Sequence, residues 1–424
     1  MKIKRLKIEN FRGIIDETVD FDRSMTVFAG RNGGGKSTML EAIAIMLSRV
    51  SGRMSGNAGN LYGLSDRDIT YGKPRCSLTL TLSSETDSID LSLGRDRDGN
   101  EFEDTAAADM CAARVRGVFS QVGNPTAELP VFAYYGADRN TSGFSAPRPS
   151  EGMDRIGVYK NAFDAGTNFD DFAKWFAAVL AEREAAVARA AQLPLKQGNK
   201  MRDEIAAQYG FISAIKTALR EFSPTLEGFY VEDGKLFVKP RGIPAEYLSQ
   251  GEKSVAALIS DIALRMSGAN PQMRNPLTTD AIIMIDEVDI HLHPDWQARI
   301  VKFLPKTFPK TQFIVSSHSP SVFSAVKSLY KLDEGRDGTT HIEYSPQYGR
   351  APSDILGTFM NAERESSFGG EIAAMYEAID NRDGAKAMRI ISRLQKIIPD
   401  DPELVRGEYL ARMLLPNHDD NATH

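Results

Sequence analysis

One glycine-rich segment, GRNGGGKST at residues 30–38, constrains this chain more than any other. It follows residues 25–29, an apolar run that predicts a strand, and it precedes residues 39–50, whose apolar spacing predicts a helix. A strand, then G-x-x-x-x-G-K-[ST], then a helix predicts a phosphate-binding loop, because inward-turned backbone N–H groups and a helix N-terminus favour anions. A chance glycine-rich turn is the alternative, and both flanks argue against it.

Within this loop, two side chains have distinct predicted tasks. The Lys36 ammonium is expected to reach the β and γ phosphates, and the Ser37 hydroxyl to ligate Mg²⁺. The remaining loop residues are expected to surround the phosphates: Gly30, Arg31, Asn32, Gly33, Gly34, Gly35 and Thr38.

A second feature is the segment IIMIDEVDIHLHP at residues 282–294. Its four leading apolar residues predict a buried strand that ends in Asp286 and Glu287. Ligands bind at the carboxyl ends of strands in α/β sheets, where one acid can hold a cation and its neighbour can polarise water. An ordinary strand end is an equally good interpretation of this segment alone, so its meaning depends on the phosphate loop.

Two further segments add candidate residues. LSQGE at residues 248–252 precedes an amphipathic pattern, so Ser249 and Gly251 mark a helix start with free backbone donors. Glu252 lies three residues after Ser249, and a purely structural capping box is the alternative. TQFIVSSHSP at residues 311–320 predicts a buried strand with His318 at its exit. A zinc site is disfavoured because neither a cysteine nor an HExxH pattern accompanies the histidines.

Composition limits the class of protein. The net charge of −6 gives no global positive field toward nucleic acid. Cys76 and Cys111 form no CxxC pattern, which argues against a disulfide framework or a zinc hook. The sequence has no apolar run long enough for a membrane span and no signal-peptide core, so we expect a cytoplasmic protein without a membrane partner.

The predicted organisation is a first lobe at residues 1–150, a helical arm at 151–225, a second lobe at 226–345, a helical region at 346–416 and a disordered tail at 417–424. The arm is expected to hold two helices of about 30 Å each. Its aromatic stripe at residues 169–176 is interpreted as packing. The polar loop at residues 138–140 follows a predicted strand, and a surface turn is favoured there over a nucleotide contact.

The four motifs, in this order, resemble those of the ATP-binding-cassette (ABC) ATPases. The opening IKRLKIENFRGI and the phrase DEVDIHLHP narrow the resemblance to the RecF, SMC, Rad50 and OLD branch. The resemblance implies an α/β fold: an ABC-type head with a mixed sheet around the phosphate loop, a helical insertion and a C-terminal helical tail. It also implies a head-to-head dimer around two ATP molecules, in which the signature of one subunit completes the site of the other.

Carried onto this sequence, the resemblance implies a role for each candidate residue. Glu287 is the general base, Lys36 binds phosphate and His318 is the switch histidine; Ser37 and Asp286 hold Mg²⁺; and Ser249, Gln250 and Gly251, with Glu252, form the signature. Asp289 belongs to the dimer-contact loop, and Arg12 lies near the nucleotide. One departure is that no Q-loop glutamine follows residues 129–135.

A finer resemblance rests on LPVFAYYGADR, VYKNAFDAGTNFDDFAKWF and IIPDDPELVRGEYLARML. These segments look like the ATPase subunits of Septu anti-phage systems, whose relatives accompany some retrons. The resemblance implies a homo-oligomer that regulates an HNH nuclease subunit of the PtuB type, with ATP hydrolysis that can be slow or regulatory. The alternative is a RecF- or Rad50-like repair ATPase that binds DNA directly. That alternative calls for a long coiled coil or a basic surface.

Overall fold

A computed structural model describes residues 1–55, 62–83, 87–104, 106–111, 113, 128–144, 146, 155–159, 161–335, 338–360, 366–398 and 401–415. The chain divides into two compact units, Met1–Pro352 and Ser353–His424. All strands named below belong to the first unit. Residues 417–424, predicted as a disordered tail, lie outside the described part.

The strands of the described chain are, in order, β1 (Lys2–Phe11), β2 (Ile14–Asp20), β3 (Met25–Gly30), β4 (Arg75–Ser83), β5 (Ser88–Asp96), β6 (Glu101–Glu103), β7 (Val131–Tyr135), β8 (Gly228–Glu232), β9 (Lys235–Lys239), β10 (Ile243–Pro244), β11 (Ala281–Ile285), β12 (Thr311–Ser317), β13 (Leu329–Glu334) and β14 (Thr340–Tyr344).

The longer helices are α1 (Lys36–Ser55), α2 (Phe169–Ala191), α3 (Leu195–Gln208), α4 (Gly210–Phe222), α5 (Gln250–Ala269), α6 (Pro294–Thr307), α7 (Ser366–Asp380), α8 (Gly384–Leu394) and α9 (Pro402–Met413). Short helical turns lie at Asp66–Asp68, Gly157–Tyr159, Pro224–Leu226, Ala245–Tyr247, Pro276–Thr278, Pro320–Phe323, Pro352–Asp354 and Ile355–Phe359. In the part of the chain that is described, no helix is both long and apolar enough to cross a bilayer.

A six-stranded mixed sheet forms the centre of the first unit, in the order β14-β13-β3-β12-β11-β7. The five strands from β13 to β7 run parallel, and only β14 is antiparallel. Every residue of β11 and β12 is buried, which agrees with the continuous apolar sequence of β11 and with the apolar centre of β12, residues 313–315. The predicted α/β class with a mixed sheet around the phosphate loop is confirmed.

Two antiparallel sheets accompany the central one. The first has five strands in the order β2-β1-β4-β5-β6, and the second has three in the order β10-β9-β8. The β8–β9 hairpin turns through Asp233 and Gly234, whose φ angles are 48° and 74°. Positive φ at both central residues is typical of a tight two-residue hairpin turn, which an Asp-Gly pair favours.

The described part of the helical arm contains three long helices, α2, α3 and α4, so the prediction of two is wrong. The predicted second helix is interrupted at Tyr209, whose φ of −108° and ψ of 14° lie outside the helical range. Asn168 caps α2, because its side chain accepts from the N–H groups of Asp170 and Asp171. The aromatic stripe is packing: the ring centroid of Phe172 lies 5.3 Å from that of Phe176 and 6.1 Å from that of Phe229 on β8.

The second unit carries α7, α8 and α9. Their facing apolar side chains form one buried cluster of Ile372, Met375, Ala378, Ala387, Ile391, Leu394, Leu404 and Ala411. Asp383 caps α8 and Asp401 caps α9. The described segments therefore form a small helical unit with its own core.

Candidate nucleotide site

Four neighbouring parallel strands bring the predicted residues to one edge of the central sheet. The glycine-rich loop follows β3, and the acids Asp286 and Glu287 follow β11. His318 follows β12, and the polar loop with Arg139 follows β7. The carboxyl edge of a parallel sheet is where α/β proteins bind ligands, so the topology alone gathers these groups.

The glycine-rich loop has the backbone that an anion cradle requires. Gly35, directly before α1, has a φ of 93°, which glycine adopts readily but residues with a Cβ disfavour. Lys36 begins α1 with only 5% of its surface exposed, and its Nζ donates to the carbonyls of Gly30 and Arg31 at 2.9 Å each. Burial lowers the pKa of Lys36, while the carboxylates of Asp286, Glu287 and Asp289 oppose that shift.

Asp286 connects the loop to the acidic strand end. It is 3% exposed, and its Oδ2 accepts from the Ser37 hydroxyl at 2.6 Å. Its Oδ1 accepts from the hydroxyl of Ser316 on β12. A carboxylate and a hydroxyl in direct contact are oxygen donors of the kind that Mg²⁺ prefers, so these two residues fit the predicted metal.

Glu287 has an unusual backbone for a non-glycine residue, with a φ of 48°. Its N–H donates to Ser316 Oγ at 2.7 Å, and the N–H of Val288 donates to the Ser316 carbonyl at 3.0 Å. The turn therefore leaves β11 while remaining bonded to β12. The Glu287 side chain stays half-buried beside Asp286.

Asp289 and His318 are also neighbours. Asp289 is 2% exposed, and within the described chain neither of its carboxylate oxygens has a hydrogen-bond partner. His318 Nδ1 lies 3.9 Å from Asp289 Oδ2, with the imidazole half-exposed. Burying a carboxylate without a hydrogen-bond donor costs free energy. In the single chain, this cost at Asp289 is only partly offset by the nearby His318.

The LSQGE segment forms the start of α5. Ser249 and Glu252 make a reciprocal capping box: Glu252 N–H donates to Ser249 Oγ at 3.3 Å, and Ser249 N–H donates to the Glu252 carboxylate at 2.9 Å. Gln250 is exposed. A Cβ at Gly251 would lie 2.7 Å from the carbonyl oxygen of His291, so the helix start packs on the loop after Glu287.

The structure does not join this helix start to the glycine-rich loop of the same chain. Among the described residues, no hydrogen bond or ion pair connects residues 249–252 with Lys36, Ser37 or Asp286. We call Lys36, Ser37, Asp286, Glu287 and His318 the P-loop half of the site. Residues 249–252 are the signature half.

Arg12 lies against α1 instead of standing free. Its guanidinium pairs with Glu41, five residues after Lys36 on α1, and donates to Asp68 at 2.9 Å. Burial opposes the charge, but the hydrogen bonds to Asp68 and Glu41 outweigh it and raise the pKa of Arg12. A nucleotide contact by Arg12 stays a prediction.

Comparison with known proteins shows the family to which the chain belongs. The family model described as "AAA domain, putative AbiEii toxin, Type IV TA system" matches residues 25–324, which include both halves of the site. The chain belongs to this AAA-domain family. It is an ATPase, as the four motifs predicted, and nucleotide binding follows from that assignment.

Individual relatives agree with the finer resemblance. The chain is 29% identical to the Retron Vc95 probable ATPase of Vibrio cholerae serotype O1 biovar El Tor, over 85% of this chain and 80% of that one. It is 23% identical to the Septu protein PtuA of Bacillus thuringiensis, over 94% and 95%. The predicted relationship to Septu and retron ATPases is confirmed. The structure also overlaps an SMC head bound to the C-winged helix domain of ScpA, with a TM-score of 0.49, 15% identity and coverage of 82% and 98%.

One buried residue of this AAA-domain chain, Arg139, is not among the residues that the motifs predicted for the site. The surface-turn interpretation of residues 138–140 is wrong at this position, because Arg139 is 1% exposed. Its guanidinium donates to the backbone carbonyls of Asp286 at 2.5 Å and Glu287 at 3.0 Å. A signal was present: Arg139 follows a buried strand at the position where a Q-loop glutamine was sought.

Proposed function

We propose that this ATPase hydrolyses ATP at a site that two copies of the chain share. The observation that carries the proposal is the contact between Ser37 of the phosphate loop and Asp286 of the acidic strand end, at 2.6 Å. This contact joins two motifs that are 249 residues apart into one hydrogen-bonded cluster. Such a cluster has the parts that phosphoryl transfer requires.

In this mechanism the chain's own groups position and stabilise charge. The N–H groups of the loop and the Lys36 ammonium bind the phosphates of ATP. Ser37 and Asp286 would hold Mg²⁺, which would supply positive charge to offset that on the phosphate oxygens. The Glu287 carboxylate accepts the proton of the attacking water. His318, whose ring is half-exposed next to Asp289, contacts the γ-phosphate.

The signature half comes from the second copy in this proposal. Residues 249–252 present the N-terminus of a 20-residue helix, and Gln250 is open to a partner. The capping box uses Ser249 Oγ as an acceptor, so its hydroxyl proton can still be donated to a phosphate. Asp289, whose buried carboxylate accepts no hydrogen bond from the described residues, belongs to the loop that faces the second copy.

At the level of the cell, we propose an ATPase subunit of an anti-phage system that acts in the cytoplasm. It forms a homo-oligomer and holds an HNH nuclease subunit of the PtuB type in check until infection. Similarity to Septu PtuA over 94% of this chain supports the proposal. Direct DNA binding as the main task is the second candidate. The shortness of the arm argues against this second candidate. The longest helix in its described part has 23 residues and spans only about 35 Å.

The catalytic proposal is tested by Glu287→Gln. The amide keeps the size of the side chain but cannot accept the proton, so we expect the hydrolysis rate to fall about 100-fold or more. ATP affinity should persist, and the ATP-bound dimer should accumulate. Steady-state phosphate release and fluorescent-nucleotide titration measure the two quantities.

Glu184→Gln, on the exposed face of α2, is the matched control and should behave as wild type. Hydrolysis at the wild-type rate in Glu287→Gln would refute the base assignment.

The defence proposal is tested by plaque assays on cells that carry this gene with its natural neighbours. Deleting an adjacent nuclease gene should abolish protection, and Glu287→Gln should alter it. Unchanged protection without the neighbour would contradict a two-component system. A gel-shift assay with purified protein distinguishes the DNA-repair candidate, which requires DNA binding by this chain alone at physiological salt.

A further inference from the structure

Arg139 is a buried arginine whose hydrogen bonds go to backbone carbonyls. Its Nη1 donates to Asp286 at 2.5 Å and to Gly136 at 3.1 Å, and its Nη2 donates to Glu287 at 3.0 Å. The planar guanidinium thus bridges the turn after β7 and the turn after β11. A lysine ammonium could not reproduce this fork.

The charge of Arg139 is retained despite its burial. Removal from water lowers the pKa of Arg139 to about 10, and the nearby carboxylates of Asp286, Asp289 and Glu287 counteract that shift. The guanidinium is therefore protonated at neutral pH. This buried, charged guanidinium donates to two adjacent backbone carbonyls. It therefore restricts the backbone conformation of the residues that carry them.

That effect falls on Glu287. Its left-handed backbone, with a φ of 48°, is a conformation that persists only when neighbours enforce it. Ser316 Oγ accepts the Glu287 N–H at 2.7 Å, and Arg139 donates to the Glu287 carbonyl. The residue is thereby fixed from both sides, by β12 at its N–H and by the loop after β7 at its carbonyl.

We propose that Arg139 is a positioning residue that holds the Asp286–Glu287 backbone so that the Glu287 carboxylate is aimed at the attacking water. The proposal rests on the proposed hydrolysis at Glu287. Arg139 touches no reacting atom in this role. Its contribution passes through Glu287, because the direction of a side chain follows from the backbone that carries it.

The same loop is bonded to the arm. The Arg139 carbonyl accepts from the Thr167 N–H at 2.7 Å, and the Asn168 side chain, which caps α2, donates to the Asn140 carbonyl at 3.2 Å. These two hydrogen bonds fix the loop after β7 to the arm. Arg139 is thereby held in the position from which it donates to the Glu287 carbonyl.

The test is Arg139→Lys, with Arg139→Gln as a second variant if the first folds poorly. A lysine keeps the charge but loses the two-carbonyl fork. We expect kcat to fall about tenfold or more, in line with the cost of a small misplacement of a catalytic group. ATP affinity should stay within about threefold, because the phosphate loop is untouched.

Arg155→Lys is the matched control. Arg155 also donates from a partly buried guanidinium to a backbone carbonyl, that of Ala269 at 2.6 Å, but it lies outside the site. Its kcat should remain at the wild-type level. Equal losses in Arg139→Lys and Arg155→Lys would overturn the proposal in favour of general destabilisation.

A double-mutant cycle separates positioning from structure. If Arg139 acts through Glu287, adding Arg139→Lys to Glu287→Gln should not lower the residual single-turnover rate further. A further loss of the same size in both backgrounds would overturn the proposal. The two claims fail differently. An active Glu287→Gln refutes the proposed function, whereas an inactive Glu287→Gln with a wild-type kcat in Arg139→Lys refutes only the role of Arg139.

Discussion

The two halves of the candidate site differ in how far a single chain completes them. In the P-loop half, the buried Asp286 carboxylate accepts from the half-buried Ser37 hydroxyl and from the buried Ser316 hydroxyl on β12, so it joins two separate segments of the chain. In the signature half, Ser249 and Glu252 bond to each other, Glu252 also accepts from the Arg241 guanidinium at 2.8 Å, and Gln250 is exposed. The P-loop half is assembled when the chain folds, whereas the signature half remains open to a partner.

This difference assigns separate tasks to the two halves. Groups that are preorganised by the fold bind nucleotide without a partner, since their geometry exists before the ligand arrives. Groups that are exposed and capped act only when a second surface meets them. The comparison therefore predicts that damage to the P-loop half removes binding or chemistry in every state. Damage to the signature half removes chemistry only.

Lys36→Ala should have the largest effect on binding. It removes a buried charged donor from the phosphate loop, so we expect ATP affinity to fall on the order of 100-fold and hydrolysis to be lost with it. Equilibrium titration with a fluorescent ATP analogue measures the loss. Lys200→Ala, at an 81%-exposed side chain on the arm, is the control and should bind as wild type. Retained affinity in Lys36→Ala would place the nucleotide elsewhere.

Gln250→Arg should separate the two halves. The new side chain points outward from the signature half, so we expect wild-type ATP affinity and an unchanged melting temperature. Hydrolysis should fall about tenfold, because the helix start no longer fits against a phosphate. Gln192→Arg, at the exposed end of α2, makes the same change away from the site. A normal rate in Gln250→Arg would remove the signature half from the mechanism.

Asp68→Asn should have the smallest effect and should touch only the scaffold of the P-loop half. Burial works against the Asp68 charge, but hydrogen bonds from Ser65 and Arg12 outweigh it and lower the pKa of Asp68. A lowered pKa stabilises the fold above the ordinary aspartate pKa of about 4, and this contribution is lost as the pH falls through the folded value.

At pH 7 we therefore expect Asp68→Asn to cost about 1–2 kcal/mol of the free energy of unfolding, measured by urea denaturation. The difference from wild type should shrink below about pH 4. Asp66→Asn is the control, since Asp66 is mostly exposed in its pair with Arg95 and should cost less than about 0.5 kcal/mol. A pH-independent difference would show that the charge of Asp68 is not the cause.

Much of the P-loop half was predictable because its signals are local. The apolar run before the loop and the helical spacing after it appear as β3 and α1. The strand predicted at residues 282–285 appears as β11, Ala281–Ile285. Each of these elements is encoded by one contiguous stretch of sequence, and the parallel arrangement of the strands then places the loop and the acids at one edge.

Arg139 could not be predicted in the same way. An arginine in a polar turn has the same local sequence whether it is exposed or buried. Its burial arises because β7 lies beside β11, although Arg139 and Asp286 are 147 residues apart. The break of the arm at Tyr209 was missed for a related reason. The apolar spacing continues across it, and only the backbone angles reveal the new helix.

The most direct test of a shared site is to mix two variants that are each impaired in hydrolysis, Glu287→Gln and Gln250→Arg. Each chain should bind ATP, but each should be deficient in hydrolysis when alone. In a mixed dimer, the intact Glu287 of the second variant meets the intact signature half of the first, and one complete site forms. The account predicts that phosphate release rises well above the sum of the separate variants. No rise on mixing, with mixed dimers demonstrated by differently tagged chains, would contradict it.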